Sequence, residues 1–283
     1  MSNFKMILAM IVFGGIAIFV HEIALPAAVI ACIRAIVGMA ILAVFLGFCK
    51  KRSGFVAFKK NAVALILSGI ALSFNWIFLL EAHQNATAPV ATVCYSVAPV
   101  LVLMISPIFL RERISVVSAA CTFGALAGAI LLTGILNVGK VNMLGAIYAF
   151  VGAGCYCAVI ILNKKIGNIS SIDSAFYQMT VASVVSVAYS VLTVDIKTAV
   201  FSFNTVWMLL VLGIATAIAY ALMFSAAKKM SAQNWGVLSY IELAMVVVIS
   251  NVLFGQKFTP VEILGIAMIV GFAIVNCAVK RKR

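Results

Sequence analysis

Ten apolar runs, each about the length of one bilayer crossing, follow one another along this chain with only short polar breaks between them. They are Met6–Val20, Ala27–Phe48, Ala62–Leu80, Ala86–Leu110, Val116–Leu136, Met143–Leu162, Ser174–Val194, Val206–Ala227, Ala232–Phe254 and Val261–Val279. In lipid every backbone polar group must be satisfied within the protein, so runs of about 20 apolar residues have to be helices. Only 10% of the 283 residues are charged, against about 25% in a soluble domain. The pattern predicts an all-α integral membrane protein of ten transmembrane helices, with no room for a soluble domain. The first run has no strongly basic leader and is followed at once by a second, so it reads as a retained helix and not a signal peptide.

The net charge of +13 would suit a nucleic-acid binder, but its placement points elsewhere. With the N-terminus in the cytoplasm, sixteen Lys and Arg fall in cytoplasmic segments and three, Lys140, Lys197 and Lys257, in outer ones. The cytoplasmic groups are Lys5, Lys50–Arg52 with Lys59 and Lys60, Arg111 and Arg113, Lys164 and Lys165, Lys228 and Lys229, and Lys280–Arg283. Cytoplasmic loops of membrane proteins carry such an excess. Both termini are therefore predicted to be cytoplasmic, with the lipid bilayer as the partner and no nucleic acid. The seven cysteines lie in or at the end of apolar runs and act as small hydrophobes. Cys155-x-Cys157 has neither redox nor zinc spacing, and no cofactor or metal is expected.

The chain also repeats itself. Ser68–Arg113 aligns without gaps on Leu212–Lys257, about 144 residues later. Gly69-Ile70-Ala71 falls on Gly213-Ile214-Ala215, Asn75-Trp76 on Ala219-Tyr220, Thr87 on Ser231, and Glu112 on Gln256. Five spans per half is an odd number, so the halves, 1–137 and 138–283, would sit in opposite orientations. Inverted repeats characterise secondary transporters, whose substrate site lies near the midplane between the halves.

The first half contains LSGIALSFNWIFLLEAHQNATAPVATVCYSVAPVLVLMISPIFLRERIS, and the second AAKKMSAQNWGVLSYIELAMVVVISNVLFGQKFT. These resemble the third and fourth spans, and the eighth-to-ninth connection with the ninth span, of the EamA family of the drug/metabolite transporter superfamily. The resemblance includes Ala98-Pro99 and the closing Glu112, and it covers essentially the whole chain as two units. The chain departs from the family where Glu-Pro is here Glu242-Leu243, where the second closing Glu is Gln256, and where Trp-Gly is Phe13-Gly14. The resemblance implies a ten-helix inverted-repeat transporter or exporter of small metabolites, often amino acids, in the bacterial inner membrane.

Glu242 is the leading candidate for chemistry, because a carboxylate at the centre of a span costs a few kcal/mol to insert and is a functional hypothesis by default. On a continuous helix Trp235 and Ser239 share its face, so the three together would hold an amine by charge, cation–π contact and hydrogen bond. Alternatively Glu242 carries a proton as coupling ion, or is a structural residue paired with arginine. Its counterparts in the first half are Ala98, Ala91 and Tyr95, so the only charge of the site would come from the second half. Arg34, in the second span, would pair with Glu242, bind a substrate carboxylate or snorkel outward. Both charges in one cavity would suit a zwitterion. Asn75, Trp76, Tyr95 and Tyr220 complete the candidate site, with Trp76 and Tyr220 as a matched pair, while Tyr148, Tyr156, Tyr177 and Gln178 are further mid-span polar or aromatic residues. His21-Glu22 and Glu81-Ala82-His83 read as solvated outer helix ends that could gate or sense pH. Asp173 and Glu262 suit helix N-termini, and Gly124-x-x-x-Gly128 suits close helix packing.

No phosphate loop, metal-ligand spacing or nucleophile motif is present, so neither an enzyme nor a pump with its own ATPase is expected. The expected function is alternating-access transport of a small amine-bearing substrate, an amino acid or organic cation, in the direction of export. The alternatives are a membrane-embedded lipid-handling protein or enzyme, or an importer of a choline-like cation. Monomer and homodimer are both open.

Overall fold

The computed structural model describes residues 2–21, 23–48, 55–134, 142–194 and 201–281, which form twelve α-helices. These are α1 Ser2–His21, α2 Ala27–Phe48, α3 Phe55–Asn85, α4 Ala88–Tyr95, α5 Ala98–Leu110 and α6 Val116–Thr133. They continue with α7 Met143–Lys165, α8 Ser171–Thr193, α9 Phe203–Ala227, α10 Ala232–Ser239, α11 Ile241–Leu253 and α12 Pro260–Arg281. Glu22, Cys49, Lys50–Arg52, Lys140, Lys197, Lys282, Arg283 and the side chains of His21, Lys280 and Arg281 lie outside the described residues.

Counting α4 with α5 and α10 with α11 as one stretch each, nine described helices are long and apolar enough to cross a bilayer. α1 carries a shorter apolar helix, Ser2–Ile16. α3 starts earlier than its apolar run because Phe58 and Ala64 pack on a small cluster of Leu65, Ile166 and Ile169, while Lys59 and Lys60 stay exposed. Large apolar side chains such as Phe45, Met104, Ile108 and Trp207 face outward, where lipid would cover them.

Two spans read as continuous helices are in fact kinked, and at positions 144 apart. In the first, Pro99 has no N–H to give the carbonyl four residues earlier. The chain crosses Ser96 and Val97 with tighter bonds, Val97 N–H to Cys94 O at 3.4 Å and Val100 N–H to Val97 O at 2.9 Å. The second kink, at Tyr240, has no proline, since Leu243 stands where the first half has Pro99. There the Ser239 hydroxyl donates to Gly236 O at 2.7 Å, and Tyr240 N–H and Leu243 N–H make three-residue bonds of 3.4 and 3.1 Å. Such back-bonding competes with the helical ladder and bends it. The kinks also touch: Tyr240 OH donates to Ser96 O at 2.8 Å, satisfying a carbonyl that Val100 no longer reaches.

Helices from the two halves interleave, with α3 along α7, α1 along α9, α6 along α12 and α2 along α8. Close approach is set by glycine. A Cβ on Gly69 would lie 2.6 Å from Val181 Cβ, and one on Gly213 would lie 2.4 Å from Val37 Cβ. Adding 144 to Gly69 and Val37 gives Gly213 and Val181, so the two contacts are counterparts. Gly124 and Gly128 likewise give room to Phe272 and to Met268 of α12. Three side-chain contacts join a residue to the one 144 later: Met39 with Ser183, Trp76 with Tyr220 and Ser96 with Tyr240. The carboxylates expected at helix starts are there. Glu262 and Thr259 form a capping box, with Thr259 N–H to Glu262 Oε2 at 2.8 Å and Glu262 N–H to Thr259 Oγ1 at 3.2 Å, and Asp173 N–H bonds Ser170 Oγ at 3.0 Å.

Candidate functional site

Glu242 sits in the first turn of α11, just past the kink, where the helix N-terminus favours a carboxylate. Gly14 lets α1 come against that turn: a Cβ there would lie 2.7 Å from Met245 Cβ and 3.1 Å from Glu242 O. Phe13, the neighbour of that glycine, consequently faces the cavity that Glu242 lines, and its ring meets Tyr220 edge-on at 5.0 Å.

The cavity has a volume of about 370 Å³ and is lined by Arg34, Asn75, Trp76, Tyr95, Tyr220 and Glu242 together with Tyr156 and apolar residues. Six of the eight site residues read from the sequence thus meet at one place. Arg34 is held by Thr216, its Nε donating to Thr216 Oγ1 at 2.8 Å, and by the Trp76 ring, 4.7 Å from its Cζ. Thr216 Oγ1 donates in turn to Leu212 O at 2.6 Å, which fixes it as an acceptor for the guanidinium. Trp76 Nε1 donates to Tyr220 OH at 3.0 Å. Asn75 Nδ2 donates to Tyr95 OH and to Gly152 O, both at 3.0 Å.

Arg34 and Glu242 share the cavity, but no ion pair within 4.0 Å joins them. Among the described residues the Glu242 carboxylate has no hydrogen-bond partner, and Arg34 spends only its Nε–H, on Thr216, of its five N–H donors. The site therefore presents one cation and one anion, both aimed at the same space and both available to a ligand.

The two remaining predicted residues are placed differently, and the kink is the reason. Trp235 is fully buried in α10 and stands behind Tyr156, its Nε1 donating to Tyr156 OH at 3.3 Å. It positions the tyrosine instead of lining the cavity. Ser239 gives its hydroxyl to Gly236 O and borders a neighbouring cavity. Tyr156, one of the further mid-span aromatics outside the predicted site, lines the cavity beside Tyr95, ring centroids 6.1 Å apart. It lies outside the repeat alignment, so nothing in that alignment marked it. Phe13 and Thr216 were also missed; the Phe13-Gly14 motif was the available signal for the first.

The cavity runs from Glu242 to a mouth at His83, Gln84 and Ala88, which are exposed. At the opposite, lysine-rich face hydrogen bonds tie the end of α5 and the start of α6 to α10 as a seal over that part of the site, beside a further cavity of about 1200 Å³ bordered by Asn3, Lys229, Asn234 and Met245. Arg111 adopts a left-handed conformation after α5, φ 55°, and turns the chain so that both Glu112 carboxylate oxygens accept from Ala232 N–H at 3.1 Å. Gln233 accepts from Ser115 N–H at 3.3 Å and donates to Arg113 O at 3.0 Å. Asn3, Asn234, Asn276 and Ser118 form a hydrogen-bonded chain under this seal. Lys164 Nζ caps the end of α9 through Ala227 O and Met230 O at 3.1 and 2.5 Å, and Lys228 Nζ donates to Ile169 O. Burial holds the Lys228 ammonium below the usual lysine range, with Asp173 opposing that shift. Among the described residues, the exposed lining of the cavity lies at His83, Gln84 and Ala88.

The model of the EamA-like transporter family matches residues 1–134 and 143–277. The uncharacterized transporter YxxF of Bacillus subtilis (strain 168) is 27% identical over 276 residues, covering 94% of this chain and 86% of that protein. The uncharacterized transporter YojE of the same organism is 23% identical over 204 residues, covering 71% of this chain and 66% of that protein. A solved structure described only as a crystal structure of protein superposes with a TM-score of 0.84 at 18% identity, over 99% of this chain and 98% of that one. That likeness concerns the fold.

Proposed function

The chain belongs to the EamA-like transporter family of the drug/metabolite transporter superfamily, and on that premise we propose that it is a secondary transporter exporting small amine-bearing metabolites by alternating access. The observation that carries the reading is the pair Arg34 and Glu242, not joined in an ion pair and lining one cavity whose exposed mouth is at His83, Gln84 and Ala88. Glu242 holds the substrate amine, or a proton on the return step, and Arg34 holds a carboxylate where the substrate has one. An α-amino acid satisfies both. The residues 144 apart that touch, and the counterpart glycine contacts, support two inverted five-helix repeats, 1–137 and 138–283, about a two-fold axis near Trp76 and Tyr220. The lysine-rich face is the cytoplasmic one on the positive-inside rule, in the inner membrane of a bacterium, which makes this state outward-open.

The test is counterflow in proteoliposomes with labelled amino acids and with choline. Uptake that requires Glu242 supports the reading. If no solute moves, and Glu242→Gln leaves every flux at its wild-type level, the reading fails.

A further inference from the structure

Beside the charged cavity lies a second one of about 320 Å³, and the two share Leu79, His83, Ala88, Tyr95, Tyr156 and Glu242. It is less polar than the first, and Arg34, Asn75 and Tyr220 do not border it. Its walls beyond the shared residues come largely from Pro89, Pro99, Ala129, Leu132, Val246 and Val247. The hydroxyls that border it are mostly spent on main-chain carbonyls: Ser96 Oγ on Thr92 O at 2.6 Å, Ser239 Oγ on Gly236 O at 2.7 Å, Thr133 Oγ1 on Ile130 O at 2.8 Å and Tyr240 OH on Ser96 O at 2.8 Å. Thr92 is the exception. Away from the shared Glu242 and His83, a ligand in this chamber meets mainly hydrocarbon, while Arg34 borders only the first.

Resting on the transporter reading above, we propose that this second chamber binds the apolar side chain of the substrate. The substrate class is then a zwitterionic α-amino acid with a sizeable hydrocarbon side chain: its ammonium and carboxylate lie between Glu242 and Arg34, and its side chain passes Tyr95 and Tyr156. Both kinks help to build the chamber. The first turns Ala98 and Pro99 toward it, and the second brings Leu243, Val246 and Val247 of α11 onto its far wall. Its volume is close to that of the charged cavity, so it accepts more than a methyl group. A small polar substrate would leave it unfilled and gain nothing from it.

The test is calorimetric binding to the purified full chain in nanodiscs, with the straight-chain series alanine, 2-aminobutyrate, norvaline and norleucine as probes. Burying each added methylene is expected to lower Kd about fourfold, so norleucine should bind about sixtyfold tighter than alanine. Val247→Trp fills the chamber and should reduce that ratio to about fourfold or less. Leu132→Phe, on a different helix, serves as an independent second variant if the tryptophan variant does not fold. A ratio near one in the wild type, with alanine binding that still depends on Glu242, overturns the chamber and leaves the transporter reading standing. A ratio unchanged in both variants overturns the chamber as well. Absence of binding for every probe, with Glu242→Gln indistinguishable from wild type, overturns both.

Discussion

Replacing Glu112 with glutamine tests the seal at the lysine-rich face quantitatively. Both carboxylate oxygens lie 3.1 Å from Ala232 N–H, the first donor of α10. A hydrogen bond to a charged acceptor contributes about 1.5–3 kcal/mol and a neutral one about 0.5–1.5 kcal/mol. Glu112 is only half-buried, so values near the lower ends apply and the difference is about 1 kcal/mol. The substitution keeps length and hydrogen-bonding capacity, and Ser231 Oγ still accepts from Asn234 N–H at 3.2 Å, so the helix stays capped. Only the charge at the positive end of α10 is lost. A change of about 1 kcal/mol raises the local opening constant about fivefold. Hydrogen–deuterium exchange by mass spectrometry should therefore show the amides of Ala232–Leu238 exchanging about fivefold faster, with α3 and α7 at their wild-type rates. Unchanged exchange in α10 would refute the latch. A uniform rise across the chain would refute it too, because it would mean global loosening and no specific contact.

Four further outcomes follow from the same geometry. Gln256→Glu restores a carboxylate at the position matching Glu112, and should raise exchange protection at Thr87–Val90 by favouring closure of the His83 face; no change there would count against the repeat relation. Gly213→Ala should destabilise the protein by about 1–3 kcal/mol through overpacking on Val37, and Val37→Ala in the same chain should recover most of the loss in a thermal unfolding double-mutant cycle. Leu243→Pro should cost less than about 1 kcal/mol, because Leu243 lies in the first turn of α11 and gives up one bond to Tyr240 O, where an interior proline costs about 3 kcal/mol. Arg34→Lys should weaken binding of zwitterions but spare organic cations, because an ammonium lacks the planar fork that stays free to meet a carboxylate while Nε is held on Thr216 and Cζ lies over Trp76, and equal losses for both ligands in a binding assay would contradict the assigned role.

Much of this was legible in the residues alone. Apolar run length gave the spans, because lipid leaves a helix no other way to satisfy its backbone. Glu242 and Arg34 stood out because charge at that depth is costly. The 144-residue offset pairs Trp76 with Tyr220, and a hydrogen bond joins them. The kink at Tyr240 was not legible. Proline announces a kink from sequence, but here the cause is a serine hydroxyl bonding backward beside a glycine, in a run that otherwise reads as continuous helix. The misplacement of Trp235 follows directly, since its spacing to Glu242 assumed a straight helix. Tyr156 depends on which of several aromatics on α7 turns inward, and that is decided by Trp235 and Met223 packing against it.

The contact between Ser96 and Tyr240 says something about why such a protein is one chain. Positions 144 apart that touch would be identical residues if two copies of a single half-length polypeptide came together. Two tyrosines would collide at that point, and two serines would leave a gap. Joined in one polypeptide, the halves are free to differ, and here a small residue gives up its carbonyl to a large one. The same freedom places a carboxylate at 242 opposite an alanine at 98. An assembly of identical halves would have to accept a carboxylate at both matching positions or at neither. If the chain is two repeats, its being one polypeptide is what lets the described cavity carry Glu242 without a matching carboxylate at Ala98.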